Sequence, residues 1–569
     1  MKASVTFALF LTVGLPILVA AQNSSIEPWK VDLRQGSIEA PRSEAQDGTT
    51  YYVFKNIPYA EPPVGDLRFK NPVPASSWTG VRNGSAPSPA CPQLDIMPLL
   101  AGEIKTIGEE DCLYLDVYVP KKNASELPVM VWIHGGGFAF GSAEGYNSYY
   151  FMKEDVVVVN IQYRLGALGF LSTEDSVMPG NYALKDQVMA LQWVRDNIQA
   201  FGGDPKRVTI FGESAGGISV HLLMLSPMAK GLFHNAIAQS GTAIFPGIIR
   251  DDHRQNAAKV GQMLNCSNIN STDLKSKVLY DCLKNVSSES LVKVAGDFAT
   301  FYMSPRVMMP RVDGEFLPSH PAELLKKGNY NKVNFMTGIT RDEGSFVVSP
   351  FLQQESEREE LASNFSAHGH VLLMLEDGRE TSAEYMAKRM FAHYLGGFNV
   401  TEENANEAVK MITDFWFSVP MDVSAKMHAK DVAFGQKIFL YELHHFGDVS
   451  VIGSMNDSTG EDWVGHADDL LYLFDMMNIN ASTNPIDLFM RDIMISLWTN
   501  FARTGNPTPD LSLGFKWSPV SGSDMQYLIL QPSPYMRNFT REAEMEFMTN
   551  LPTKQNEILF PERFVNEEY

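Results

Sequence analysis

The pentapeptide Gly212-Glu213-Ser214-Ala215-Gly216 constrains this sequence most, because of what flanks it. The apolar run Val208 to Phe211 leads in, and Ile218, Val220, Leu222 and Leu223 lead out. That is the pattern of a serine carried on a tight turn from strand to helix. Such a turn strains the backbone and draws neighbouring segments close, so the positions around the serine must be small. The five residues alone also fit an ordinary glycine turn, so their weight depends on the rest of the chain.

A second apolar run, Val129 to Ile133, opens directly onto His134, Gly135, Gly136, Gly137 and Phe138. Backbone N–H groups free of side chains can point at the negative oxygen of a tetrahedral intermediate, and losing one such donor costs about 3 to 4 kcal/mol of transition-state binding. Gly136, Gly137 and Ala215 are the candidate donors for this oxyanion hole. The glycines match neither of the spacings that cradle phosphate at a helix start. His134, beside this loop, reads as a supporting residue rather than a base.

The runs Val129 to Ile133, Val156 to Ile161 and Val208 to Phe211 read as buried strands. Ala236 to Gln239, Val333 to Thr337 and Ile438 to Leu443 continue the set. Between them, Leu184, Val188, Leu191, Val194, Ile198 and Phe201 recur at steps of three and four, which predicts an amphipathic helix over Asn181 to Phe201 ending at Gly202 and Gly203. Strands alternating with helices predict an α/β fold with a mostly parallel sheet and helices on both faces. No repeat, low-complexity tract or long linker divides the chain, so residues 22–569 read as one domain with helical insertions.

A serine hydroxyl becomes a useful nucleophile only when a histidine takes its proton, and the imidazolium then needs a carboxylate to orient and stabilise it. In this kind of fold the order is serine, acid, histidine. Asp342 and Glu343 both follow a strand-like run and precede Gly344, and chemistry does not choose between them. Spacing likewise does not choose among His368, His370, His393, His428, His444, His445 and His466.

The other features concern compartment. Lys2 and the apolar run Val5 to Ala20 read as a secretory signal, residues 1–21, cleaved near Gln22. Polar Gln22, Asn23 and Ser24 follow, unlike the flank of a membrane anchor. Nothing later is long and apolar enough to span a bilayer, and the tail has no hydrophobic lipid-anchor segment. Four cysteines suit an extracellular chain, and pairing neighbours, Cys91 with Cys112 and Cys266 with Cys282, closes two short loops worth about 3 kcal/mol each. Asn-x-Ser/Thr sites occur at Asn23, Asn83, Asn123, Asn265, Asn270, Asn285, Asn364, Asn399, Asn456, Asn480 and Asn538. A formal net charge of -21 argues against binding nucleic acid or an anionic membrane surface.

The stretch FGGDPKRVTIFGESAGG (Phe201 to Gly217), taken with EDCLYLDVYVP (Glu110 to Pro120), resembles the signature pair of the type-B carboxylesterases, a family that includes the cholinesterases. NIPYAEPP, NIQYRLGALGF and AIAQSG also fit, and the resemblance runs from about Val31 to about Glu542. It implies the α/β-hydrolase fold with a gorge, Glu343 as acid, His466 as base, and Ser240 and Asp469 as polar supports. It implies no cofactor and no metal. Choline esters fit poorly. No tryptophan stands between Cys91 and Cys112 to hold a quaternary ammonium, four cysteines leave none for a third disulfide, and Gly247 stands where cholinesterases narrow the acyl pocket with tryptophan. The nearest resemblance is to secreted arthropod carboxylesterases. Juvenile-hormone esterases usually carry Gln in place of Glu213.

The expectation is therefore a secreted serine carboxylesterase acting through an acyl-enzyme on uncharged, fairly apolar esters. A juvenile-hormone-type esterase is one alternative. The other is a non-catalytic adhesion protein on the same fold, which typically lacks a triad member.

Overall fold

The computed structural model describes residues 28–45, 47–95, 104–122, 124–302, 304–375, 382–454, 461–477, 479–522 and 525–564. The expected signal and the sites Asn23, Asn123 and Asn456 lie outside these residues. The main sheet has eleven strands. In chain order they are β1 (Arg42–Glu44), β2 (Thr50–Pro58), β3 (Tyr114–Val119), β4 (Leu127–Ile133), β5 (Val157–Ile161) and β6 (Gly203–Glu213), followed by β7 (Asn235–Gln239), β8 (Asn334–Thr340), β9 (Ile438–Leu443), β10 (Gln526–Leu530) and β11 (Tyr535–Asn538).

Across the sheet the order is β11-β10-β9-β8-β7-β6-β4-β5-β3-β2-β1. Pairing is parallel from β5 through β4 and β6 to β10, and antiparallel at both margins. The central strands read as continuous apolar runs because both sheet faces are covered. Along β4, Val129, Val131 and Ile133 pack into one core cluster while Met130 and Trp132 pack into the other. Every residue of that strand is buried.

The predicted helix is present as α1 (Tyr182–Asn197), tightening to a 3₁₀ turn over Ile198–Phe201 and ending at Gly202 with φ +85°. It differs from the expectation in one respect: polar residues of its first turns are buried too. Lys185, Asp186 and Gln187 are inaccessible, so each needs a partner. Arg164 grips both Asp186 oxygens at 2.8 and 2.6 Å, Lys185 reaches Glu315 at 2.6 Å, and Gln187 donates to Ser219 at 3.0 Å. Ser219 lies on α2 (Ala215–Leu225), the helix that follows the serine turn, so α1 and α2 are joined by a buried polar contact.

Cys91–Cys112 and Cys266–Cys282 are both disulfide-bonded, as neighbour pairing predicted. No helix among the described residues is long and apolar enough to cross a membrane.

Candidate active site

Strand order reverses at β4, which lies between β5 and β6, although β5 precedes β6 in the chain. Crevices form at such a switch point, beyond the carboxyl ends of the strands. β4 ends there in His134 and the glycines, and β6 ends in Ser214. Ser214 has φ +57° and ψ -122°, a conformation costly for a residue with a side chain. It is held by its N–H, which donates to the Gln239 carbonyl at 2.9 Å, and by its carbonyl, which accepts from Ile218 at 2.8 Å. Packing around the turn leaves no room for a side chain: a methyl group at Gly216 would lie 2.0 Å from the Ile133 carbonyl. One at Gly135 would lie 3.2 Å from Ser214 Cβ, so the glycine loop borders the serine.

Among the described residues, the N–H groups of Gly136, Gly137 and Ala215 donate to no protein acceptor. His134 is buried, with Nδ1 2.9 Å from the Gly135 carbonyl and its ring stacked on Tyr163 at 4.3 Å. Burial holds its pKa down at about 4, so it stays neutral and props the loop.

The two acids beyond β8 part company. Asp342 accepts from the Val464 N–H at 2.9 Å and from Arg341 at 2.7 Å, which fastens the loop entering His466. Asp468 fastens the same loop by accepting from Gly465 at 2.8 Å and Val451 at 2.7 Å. Glu343 is wholly buried, and its Oε1 accepts from Thr340 N–H at 2.9 Å. Its Oε2 accepts from His466 Nδ1–H at 2.6 Å, so in the neutral imidazole the lone pair is on Nε2. Phe346 and Phe417 flank the imidazole at 4.7 and 5.0 Å between ring centres. Among the described residues no hydrogen bond joins Ser214 Oγ to His466; a contact of that kind often tightens only when substrate binds.

Of the remaining histidines, His368, His444 and His445 face Glu360, Glu442 and Asp487, and His428 is buried against His221 at 2.9 Å. Asp469 lies behind the site and accepts from Gln239 at 2.7 Å and Tyr441 at 3.1 Å. Ser240 is buried with φ +50°, and its hydroxyl bonds to none of the described residues.

The sequence profile of the carboxylesterase family matches residues 27–548. The chain belongs to that family. It is 37% identical to a juvenile hormone esterase of Tribolium castaneum over 85% of this chain and 84% of the relative. It is 36% identical to pyrethroid hydrolase Ces2a of Mus musculus (89% and 88% covered), and 32% identical to venom carboxylesterase-6 of Apis mellifera (92% and 93% covered). The protein is accordingly a carboxylic ester hydrolase of α/β fold.

One site group of this carboxylesterase escaped the sequence reading. Glu213 is buried with Oε1 3.1 Å from His466 Nε2, though without the angle of a hydrogen bond. Its place, one residue before Ser214 at the end of a central strand, was the available signal. Burial above all lifts the Glu213 pKa to about 8, with His466 opposing and Asp469 and Glu343 adding to the rise. Burial by itself would depress His466, but Glu213 and then Glu343 outweigh it and carry the imidazole to about 9. The two groups therefore titrate as a pair. Glu213→Gln removes the strongest upward influence, so His466 sheds its proton at lower pH. The acid limb of kcat/KM, followed from pH 5 to 9.5, should move down by about one unit or more; an unmoved limb would show that Glu213 does not tune the base.

Proposed function

We propose that this carboxylesterase works through Ser214, His466 and Glu343. His466 Nε2 takes the Ser214 proton as Oγ attacks the ester carbonyl. Glu343 stabilises the imidazolium, and the N–H groups of Gly136, Gly137 and Ala215 receive the oxyanion. The alcohol leaves with the proton from His466, and water then releases the acid by the same steps. The observation that carries this reading is the 2.6 Å His466–Glu343 bond beside a strained serine at the switch point. Aromatic rings around His466, with Phe245 and Trp416 next to them, favour esters with an apolar group.

Secretion and glycosylation belong to the same proposal. Each expected site that the structure describes, Asn83, Asn265, Asn270, Asn285, Asn364, Asn399, Asn480 and Asn538, is exposed, as glycan attachment requires. The test is hydrolysis of 4-nitrophenyl esters from acetate to octanoate, with acetylthiocholine alongside. Acyl esters should turn over, the choline ester should be poor, and one equivalent of a fluorophosphonate should abolish activity while labelling Ser214. Inertness on every ester, with no label on Ser214, would favour a binding protein instead.

A further inference from the structure

Among the described residues the buried Arg68, Arg164 and Arg250 and the largely covered Arg541 each face a carboxylate: Arg68 with Glu110, Arg164 with Asp186, Arg250 with Asp252 and Arg541 with Asp422, at 2.7 to 2.8 Å from the guanidinium Nε. Pairing of this kind is the ordinary condition for taking a guanidinium out of water. Arg306 breaks the pattern. It stands between Pro305 and Val307, is only partly accessible, and its guanidinium has no carboxylate and no hydrogen-bond acceptor among the described residues. Burial alone pulls its pKa below the usual arginine range, with no acid raising it. In a chain with 67 acidic and 46 basic side chains, a cation without a partner among the described residues is not explained by a shortage of acids.

Its position gives it a use. A methyl group on Gly137 would lie 1.9 Å from Arg306 Nη1 and 3.3 Å from Cζ, so the guanidinium rests on the glycine whose N–H we assign to the oxyanion. The carboxylates behind Ser214 do not serve it: burial, His466, Asp469 and Glu343 account for Glu213, with no part for Arg306. A guanidinium is a planar fork of N–H donors matched to a carboxylate.

We infer that Arg306 receives a carboxylate carried by the substrate near its ester group, which makes half-esters of dicarboxylic acids a preferred substrate class. This rests on the ester-hydrolase reading above and amends its expectation of an uncharged substrate: one part of the ester is apolar and another anionic. Arg306 sets specificity by binding and takes no proton.

The experiment pairs mono-4-nitrophenyl esters of succinic, glutaric and adipic acids with the neutral butyrate, pentanoate and hexanoate esters of the same chain lengths. Spontaneous hydrolysis is subtracted, and kcat/KM is compared within each pair. The wild type should favour the anionic member of at least one pair. In Arg306→Met that anionic-to-neutral ratio should fall by roughly 10- to 100-fold, the worth of a lost charge-assisted contact. Arg306→Lys, which keeps a point charge without the fork, should fall between. A ratio that does not move, or equal losses on both members, would overturn the inference by assigning Arg306 to the oxyanion or to the fold. If the wild type hydrolyses no neutral ester either, the failure belongs to the ester-hydrolase reading itself.

Discussion

Replacing His466 with glutamine is expected to lower kcat on a 4-nitrophenyl acyl ester by about ten-thousand-fold or more, with a far smaller change in KM. Glutamine keeps an amide to meet Glu343 but offers no basic nitrogen to Ser214. The serine hydroxyl then attacks without a base, and the alcohol leaves without an acid. Ser214→Ala should cost as much, and the double variant no more than either single one, because members of one proton-transfer chain fail together. Losses that multiplied in the double variant would mean that the two residues act on separate steps. A His466→Gln enzyme retaining a tenth of its activity would place the base elsewhere. Thermal unfolding of each variant separates lost chemistry from lost fold.

The largest expected effect on stability comes from Arg164→Met. Arg164 Nε and Nη2 hold the two Asp186 oxygens, its backbone N–H adds a third contact at 3.1 Å, and Nη1 donates to the Lys70 carbonyl at 2.8 Å. Asp186 is wholly inaccessible, so removing the guanidinium leaves a carboxylate with neither water nor a counter-charge. The cost should be about 3 to 5 kcal/mol, read as a drop in denaturant midpoint or as faster thermal inactivation. Arg164→Met with Asp186→Leu should recover much of it, because the stranded charge is then gone. A single-variant loss under about 1 kcal/mol would mean that water reaches Asp186 in the variant. The consequence extends toward the active site, since α1 carries Asp186 and also holds α2 through Gln187 and Ser219.

Much of this protein is legible residue by residue. The strands β4 to β9 were visible as apolar runs because both faces of the sheet are covered, so β-branched and aliphatic residues follow one another without polar interruption. Their ends shifted by a few residues; β6 begins at Gly203 rather than Val208, with an irregular register between those two positions. The edge strands β1 and β11 gave weaker signals, being antiparallel, short and partly wet. On α1 the apolar spacing identified the helix, yet no periodicity could foretell that Lys185 and Asp186 are buried, because their partners Glu315 and Arg164 lie elsewhere in the chain.

What the sequence by itself determined is the machinery built from contiguous residues: the serine turn, the glycine loop after β4, and the apolar segments that make the sheet. Each depends on backbone strain, small side chains or local hydrophobicity, which neighbouring residues settle among themselves. The residues alone decide neither Glu343 over Asp342 nor His466 over six other histidines; only the family resemblance implies them. Only the tertiary structure sets His466 against Glu343 across 123 positions and against Glu213, sends Asp342 to fasten a loop, and lays Arg306 on the glycine loop. The reason is physical. A titratable side chain takes its character from the charges and water around it, and in a parallel sheet with long crossovers those surroundings come from distant parts of the chain.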